Sequence, residues 1–331
     1  MGIQYRLALY LSGFTVFLLL ALCYAFYTHN NEIELERSLE VLEEAAQDEA
    51  KDIENFLIEK TKTVLAIVNA NLITRELMSS NAEYDSLPIE KRKSQINDLN
   101  TRWKETVDSE DVLVKSYTNN TIATYFRKLQ QKLPGEFGEL FLTNRYGLVV
   151  GTSNKLTTLS HENKYWWQAA FNRGQGRIFF DDRGFDESVQ GYVIGVVVPI
   201  MQDDQLIGVF KANLNLLGSL KDFITHKHYA NAEHNALLVR SGGLIVLEQG
   251  KEPLSTRVAD DLLTEFSRMK SGSIRLSETE TETETDRLVA YAPIGITSGS
   301  AQYGFGGSYK TIDNIYGNTG EHWNIVFSKS M

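Results

Sequence analysis

The chain has 331 residues, 42% of them hydrophobic, and a formal net charge of −10. That length accommodates one membrane anchor, a helical region and two modest globular units, while the acidity argues against nucleic acid or an anionic lipid surface as the main partner, since both gather Lys and Arg. The only cysteine, Cys23, sits in an apolar segment, which excludes a disulfide framework and a thiolate metal cluster.

Residues 7–27 form an uncharged run of 21, about what a helix needs to cross the hydrocarbon core. The sequence therefore predicts a transmembrane helix over 7–28 after a cytoplasmic N-terminus at 1–6. Arg6 precedes the run, whereas Glu32, Glu34, Glu36, Glu40, Glu43 and Glu44 follow it with only Arg37 among them. This asymmetry keeps the short basic flank inside and sends everything after residue 28 outside. A cleaved signal peptide is the alternative, but the run is long for one and no small-x-small site follows it. Leu22 is bulky where a lipoprotein signal needs a small residue before Cys23, so lipidation is not expected.

A helical region is predicted over 29–136. From Asn31 to about Ser80 there is neither Pro nor Gly, and Leu35, Leu39, Leu42, Ala46, Ile53, Phe56, Leu57, Val64 and Val68 recur at helical spacing. This reads as one long amphipathic helix, a stalk whose apolar stripe packs on a second helix, on a partner subunit, or on the protein's own core. Further helices follow to residue 133, with Pro88 as a break, Asn119 and Asn120 as a turn, and Pro134-Gly135 as the stop.

After residue 137 the period becomes strand-like. Five antiparallel strands are expected around 140–142, 148–150, 178–180, 193–200 and 206–210, with a helix near 164–172 between the second and third. Asn144 to Gly147 and Gln202 to Gln205 are turn-prone and close hairpins. The order then repeats: Gly147-Leu-Val-Val is echoed by Gly243-Leu-Ile-Val, and Val198-Pro-Ile by Ala292-Pro-Ile. A second helix is expected over 259–270, with strands near 273–276, 287–291 and 323–327. The predicted class is α+β, with two similar sheet units at 137–218 and 219–331 joined through 214–228.

At Gly147-Leu-Val-Val-Gly-Thr-Ser, Tyr165-Trp-Trp, Phe185-Asp-Glu-Ser and Val196-Val-Val-Pro-Ile through Ile207-Gly-Val-Phe, the chain resembles the double Cache sensor family over roughly residues 30–329. Members of that family are extracytoplasmic parts of chemoreceptors, sensor histidine kinases and cyclic-dinucleotide enzymes, a long helix carrying two PAS-like units. The resemblance implies a bacterial inner-membrane receptor with its sensor outside, a non-enzymatic sensory portion without cofactor, a homodimer paired through the stalk, and a small-molecule ligand in the first, membrane-distal unit. The rival reading is a membrane-anchored binding or scaffold protein with no output of its own. The signalling output is expected either beyond Met331 or in a separate membrane protein.

A pocket needs apolar or aromatic walls and a few polar groups that fix orientation. The candidate walls are Trp166, Trp167, Phe185 and Tyr192, and the candidate polar groups are Lys164, Asp181, Asp182, Arg183, Asp186 and Asn213. Both tryptophans could instead pack as core. Against the amino-acid-binding subgroup of the family, Trp166 and Asp186 agree. Lys164 stands where the subgroup has arginine, Trp167 and Gly184 where it has tyrosines, and Asn213 where it has aspartate. An arginine fork grips a carboxylate twice and a buried aspartate pairs with an ammonium, so these changes admit a small carboxylate or another polar metabolite as readily as an amino acid.

Other signals are weaker. His226, His228 and His234 have one suggestive spacing but no clustered carboxylates, so no metal site is expected. Gly304 to Lys310 lacks the full phosphate-loop pattern and reads as a flexible loop. Glu278 to Thr285 alternates Glu and Thr, which places like charges on one face of a strand and suggests a solvated hairpin or loop rather than a calcium site. No nucleophile elbow or His-Glu-x-x-His helix occurs.

Overall fold

The computed structural model describes residues 3–186, 191–215, 220, 223–224, 234–266, 268, 270–280, 283–298, 302–306 and 322–330. Helix α1 (Ile3–Val68) is continuous from the apolar run into the stalk, about 100 Å at 1.5 Å per residue. Its apolar window is nowhere covered by protein. Phe17, Leu20, Tyr24, Phe26 and Tyr27 all point outward, on a helix long and apolar enough to cross a bilayer.

The sequence predicts a helix unbroken to about Ser80, but α1 ends at Val68. Ala70 is extended (φ −67°, ψ 129°) and α2 (Asn71–Asp85) starts afresh. The break re-aims the chain so that Ile73 and Leu77 are fully buried and the Asn81 amide donates to the Ile207 carbonyl at 2.8 Å. No Gly or Pro announces it. Three helices follow: α3 (Ile89–Glu105), α4 (Val112–Thr118) and α5 (Thr121–Lys132). Asp111 and Asn120 cap the last two by accepting from the amides of Leu113 and Ala123.

The first unit comprises β1 (Phe137–Asn144), β2 (Val149–Thr152), α6 (Tyr165–Phe171), β3 (Ile178–Asp186), β4 (Gly191–Gln202) and β5 (Gln205–Leu214). The second comprises β6 (His234–Arg240), β7 (Ile245–Glu248), α7 (Asp260–Phe266), β8 (Gly272–Glu280), β9 (Thr283–Pro293), β10 (Tyr303–Gly306) and β11 (Trp323–Ser330). The sheets run β10-β3-β4-β5-β1-β2 and β7-β6-β11-β9-β8. Leaving β10 aside, the two orders are the same when β11 stands for β5, and the repeated turn is the same as well. Gly147 (φ 75°) and Gly243 (φ 89°) donate to the carbonyls of Asn144 and Arg240, and each accepts from a later loop amide. In the first unit the Cβ of any other residue at 147 would meet the Glu162 backbone at 2.4 Å.

Strand β10 corrects the expectation of a flexible loop at 304–306, while 307–310 lie outside the described residues. Residues 303–306 leave the second unit and pair in parallel with β3, the one parallel ladder in otherwise antiparallel sheets among the described residues. Phe305 is buried there beside Phe180 and Trp323. A four-residue strand with two glycines shows no alternation to read. The two halves of the Glu-Thr tract pair as antiparallel strands, with Glu280 opposite Thr283, and residues 281–282 between them lie outside the described residues. Of the linker histidines, His226 and His228 lie outside the described residues and His234 opens β6.

One apolar core joins α1 to both sheets, running from Leu42 through Ile53 to Ile73 and including Phe180, Phe210, Trp323 and Phe327. Contacts along the helices are ordered: Glu43 and Gln47 bond Ser273 and Ser271 of the second unit, whereas Lys60 pairs with Glu136 and Asn81 reaches Ile207 at the first. The far face of each sheet has its own core, one under α6 and one under α7.

Candidate functional site

The α6 face of the first sheet combines an apolar rim with charge at its centre. Alternation puts Glu139, Phe141 and Thr143 of β1, Lys211 and Asn213 of β5, Gly195 of β4, and Phe179 and Asp181 of β3 on that face, beneath Tyr165, Trp166 and Trp167. Glu139, Asp181, Lys211 and Asn213 are each at most 3% exposed. Lys211 Nζ lies 2.7 Å from Asp181 Oδ2 and 4.5 Å from the centre of the Trp166 ring, so a carboxylate and a π face hold the ammonium together. The Tyr165 hydroxyl donates to the other Asp181 oxygen. Asn213 Nδ2 donates to Glu139 Oε2 at 3.2 Å, across the direct pairing of those two positions in the β1–β5 ladder.

Gly195 makes this arrangement possible. A Cβ there would lie 2.6 Å from Lys211 Cε, 3.1 Å from Asp181 Cβ and 3.3 Å from Asn213 Oδ1, so the glycine leaves the space that three polar side chains share. His161 packs against Trp166 and Phe141, with ring centres 5.3 and 5.1 Å apart, and closes the rim from the loop before α6.

The residues singled out from sequence divide accordingly. Trp166, Asp181 and Asn213 converge on this face. Trp167 lies beside them, but its indole N–H donates to Thr143 Oγ1 at 2.9 Å and its ring stacks on Phe171 at 4.8 Å, a packed and satisfied arrangement. Lys164 is the residue before α6, half-buried at the edge. Arg183, Phe185 and Asp186 lie on the last part of β3 and Tyr192 on β4, where the backbone is described. Asp182 is turned to the opposite side of the sheet, where its carboxylate takes Arg240 Nε at 2.9 Å and Trp323 Nε1 at 3.1 Å. The α6 face therefore lacks it, because consecutive strand residues point to opposite faces.

Sequence reasoning missed Glu139, Phe141, His161, Tyr165 and Lys211. For two of them a signal was available: Glu139 and Lys211 interrupt strongly apolar strands at inward positions, and buried charges of that kind are rare unless paired or functional.

Register carries the site across to the second unit. Thr143 pairs with Val209 as Val239 pairs with Asn324, so Lys211 corresponds to Val326, Asn213 to Ser328 and Glu139 to Asn235. The adjoining ladders match Gly195 to Val289 and Asp181 to Ile274. The second unit fills the same face with Val239, Val289, Tyr291 and Val326 under Leu262 and Phe266. Among the described residues, no group of His, Cys, Asp or Glu could hold a metal ion.

No protein-family model and no curated protein matches the chain. Solved structures do. The ligand-binding domain of the Campylobacter jejuni chemoreceptor Tlp3, in complex with L-valine, is 15% identical with a TM-score of 0.50, the match covering 90% of this chain and 95% of that one. The domain of the Pseudomonas aeruginosa amino acid chemoreceptor PctB with L-Gln is 15% identical, with a TM-score of 0.47 and coverage of 88% and 90%. That of PctC with GABA is 14% identical, with a TM-score of 0.40 and coverage of 84% and 99%. The chain thus has the α+β fold of double Cache sensor domains, two PAS-like units on a long helix.

Proposed function

We propose that this chain is the extracytoplasmic ligand-sensing region of a bacterial transmembrane receptor, anchored in the inner membrane by a single span at 7–28. The first unit, 137–218, binds a small polar metabolite on its α6 face, and the second, 219–331, acts between it and the membrane. The helix contacts support that order: Gln47 lies about 30 Å along the helix from Tyr27 and Lys60 about 50 Å, at 1.5 Å per residue. The helical region 29–136 supplies the stalk, and Val41, 55% exposed on the side of the helix away from the core-packed Leu35 and Leu39, suits pairing of two stalks in a homodimer. The region works by binding, without turnover of its ligand.

The observation that carries this reading is the buried set Glu139, Asp181, Lys211 and Asn213, present in the first unit and replaced register for register in the second. Carboxylates and an ammonium inside an aromatic rim suit a ligand that itself carries opposite charges or several hydrogen-bonding groups. The ligands of the similar structures, L-valine, L-glutamine and GABA, each carry an ammonium and a carboxylate, and with short carboxylates they form the natural panel. On the full chain in detergent, a thermal-shift screen with that panel is expected to raise the melting temperature with at least one compound, because a ligand of the folded state stabilises by mass action. Trp166→Ala and Glu139→Gln should abolish that shift. An unchanged shift in both variants, or no shift with any compound, overturns the proposed site.

A further inference from the structure

Asp181 and Asp182 are consecutive on β3, yet each is committed to a different unit. Asp181 sits on the α6 face with Lys211 and Tyr165. Asp182 faces the other way, toward the second unit: Arg240 Nε and Trp323 Nε1 both reach its Oδ2, and the Arg240 guanidinium also donates to its main-chain carbonyl. The ladder explains how one residue offers both groups. Asp181 pairs with Gly195 but Gly184 pairs with Val193, so β3 carries one extra residue here, a bulge that frees the carbonyl of Asp182 from β4. The Asp182 and Arg240 side chains are 2% and 7% exposed. Separating them would strand a buried charge, so the second unit follows the bulge rather than releasing it.

We propose that this bulge is the coupling element between the ligand face and the membrane-proximal unit. Arg240 and Trp323 are direct cross-strand partners on β6 and β11, and β11 packs on α1. Trp323 also meets Phe305 edge-on at 5.2 Å, and Phe305 packs on Phe180 of β3 beside the same bulge. Whatever draws Asp181 away from Lys211 shifts the bulge, moves the Arg240–Trp323 pair with it, and reaches the stalk through β11. The inference rests on the sensory reading for its trigger, but its test needs no ligand.

The test is hydrogen exchange by mass spectrometry on the full chain in lipid nanodiscs, with the Asp181 end disturbed by substitution. Lys211→Met is expected to speed exchange about threefold or more in β3 and β5 and also in β6 and β11, as local opening spreads through a cooperative unit. When Asp182→Asn and Arg240→Gln are already present, the same change should still loosen β3 and β5 but alter β6 and β11 less than about 1.5-fold, the non-additivity expected of coupled sites. If Lys211→Met unfolds the first sheet as a whole, Tyr165→Phe, which removes one hydroxyl from Asp181, is read in the same way. Equal effects on β6 and β11 in both backgrounds, or loosening confined to the first unit in the otherwise wild-type chain, overturn the proposal. A failed ligand screen would leave this result standing, and the converse also holds.

Discussion

The two units share a strand order and a glycine turn, but the charged positions on one face of the first are uncharged in the second. Where the first has Asp181, Lys211, Gly195 and Glu139, the second has Ile274, Val326, Val289 and Asn235 at matching register. The scaffold thus tolerates either filling. The apolar version stabilises by ordinary burial, roughly 25 cal/mol per Å². The charged version removes ions from water, which costs several kcal/mol per ion before pairing offsets it. A charged interior is therefore weak support for stability, which accords with the proposed recognition role, and only one of the two copies carries it.

Converting the first unit into the second is the strongest way to break this comparison. Asp181→Asn or Lys211→Met alone leaves a buried partner uncompensated and should cost about 3–5 kcal/mol. Asp181→Ile together with Lys211→Val installs the second unit's own residues and should restore wild-type stability or exceed it. Denaturant midpoints decide the matter. A double variant as unstable as either single one would mean that the pair is structural and the correspondence of the two faces misleading.

A finer probe is Gly195, whose counterpart is Val289. In the wild-type chain Gly195→Val drives a side chain into Lys211 and Asp181 and should cost about 1–3 kcal/mol, as overpacking does. Added to Asp181→Ile and Lys211→Val, it should cost less, since the Lys211 Cε that a Cβ would meet at 2.6 Å is then gone while Asn213 Oδ1 stays at 3.3 Å. The same denaturant series reads this drop in the penalty, and a constant penalty in both backgrounds would argue that Gly195 serves the backbone rather than the ion pair.

Much of this architecture was legible in the residues. The echo of Gly147-Leu-Val-Val in Gly243-Leu-Ile-Val reflects a real structural repeat, because glycine adopts without strain the left-handed turn that both units use. Gln202 to Gln205 is a two-residue hairpin, with Asp203 and Asp204 both at positive φ, as that turn requires. What stayed hidden depends on tertiary context. The stop at Val68 is imposed by docking of α2, and β10 is a strand only because β3 offers it an edge. Within the site, Trp166 lay on the helix expected near 164–172, while Asp181 and Asn213 were visible as polar candidates just beyond the strands expected at 178–180 and 206–210. Lys211 and Glu139 were passed over because a charge within an apolar strand looks like an outward residue until both faces are known to be covered. Asp182 illustrates the converse: its neighbour belongs to the α6 face, but a bulge and a partner from a distant strand give it to the other unit.

The smallest expected effect concerns His322, which directly precedes Trp323 of the coupling contact and is 5% exposed. Burial lowers its pKa below the ordinary value of 6.5, and a backbone hydrogen bond with Phe266 only partly opposes this. The folded chain therefore refuses a proton that the unfolded chain accepts once the pH drops below 6.5, so this residue's contribution to stability is complete above that value and declines as the pH falls beneath it. Thermal melts at pH 7.5 and 5.5 should show the acid loss, and His322→Gln should reduce it, with the difference appearing in exchange of β11 peptides. Because His322 abuts Trp323, acid would loosen the second unit at the strand through which the first is proposed to act. Identical acid losses in the variant and the wild type would assign the pH dependence to other groups and leave His322 a neutral packing residue.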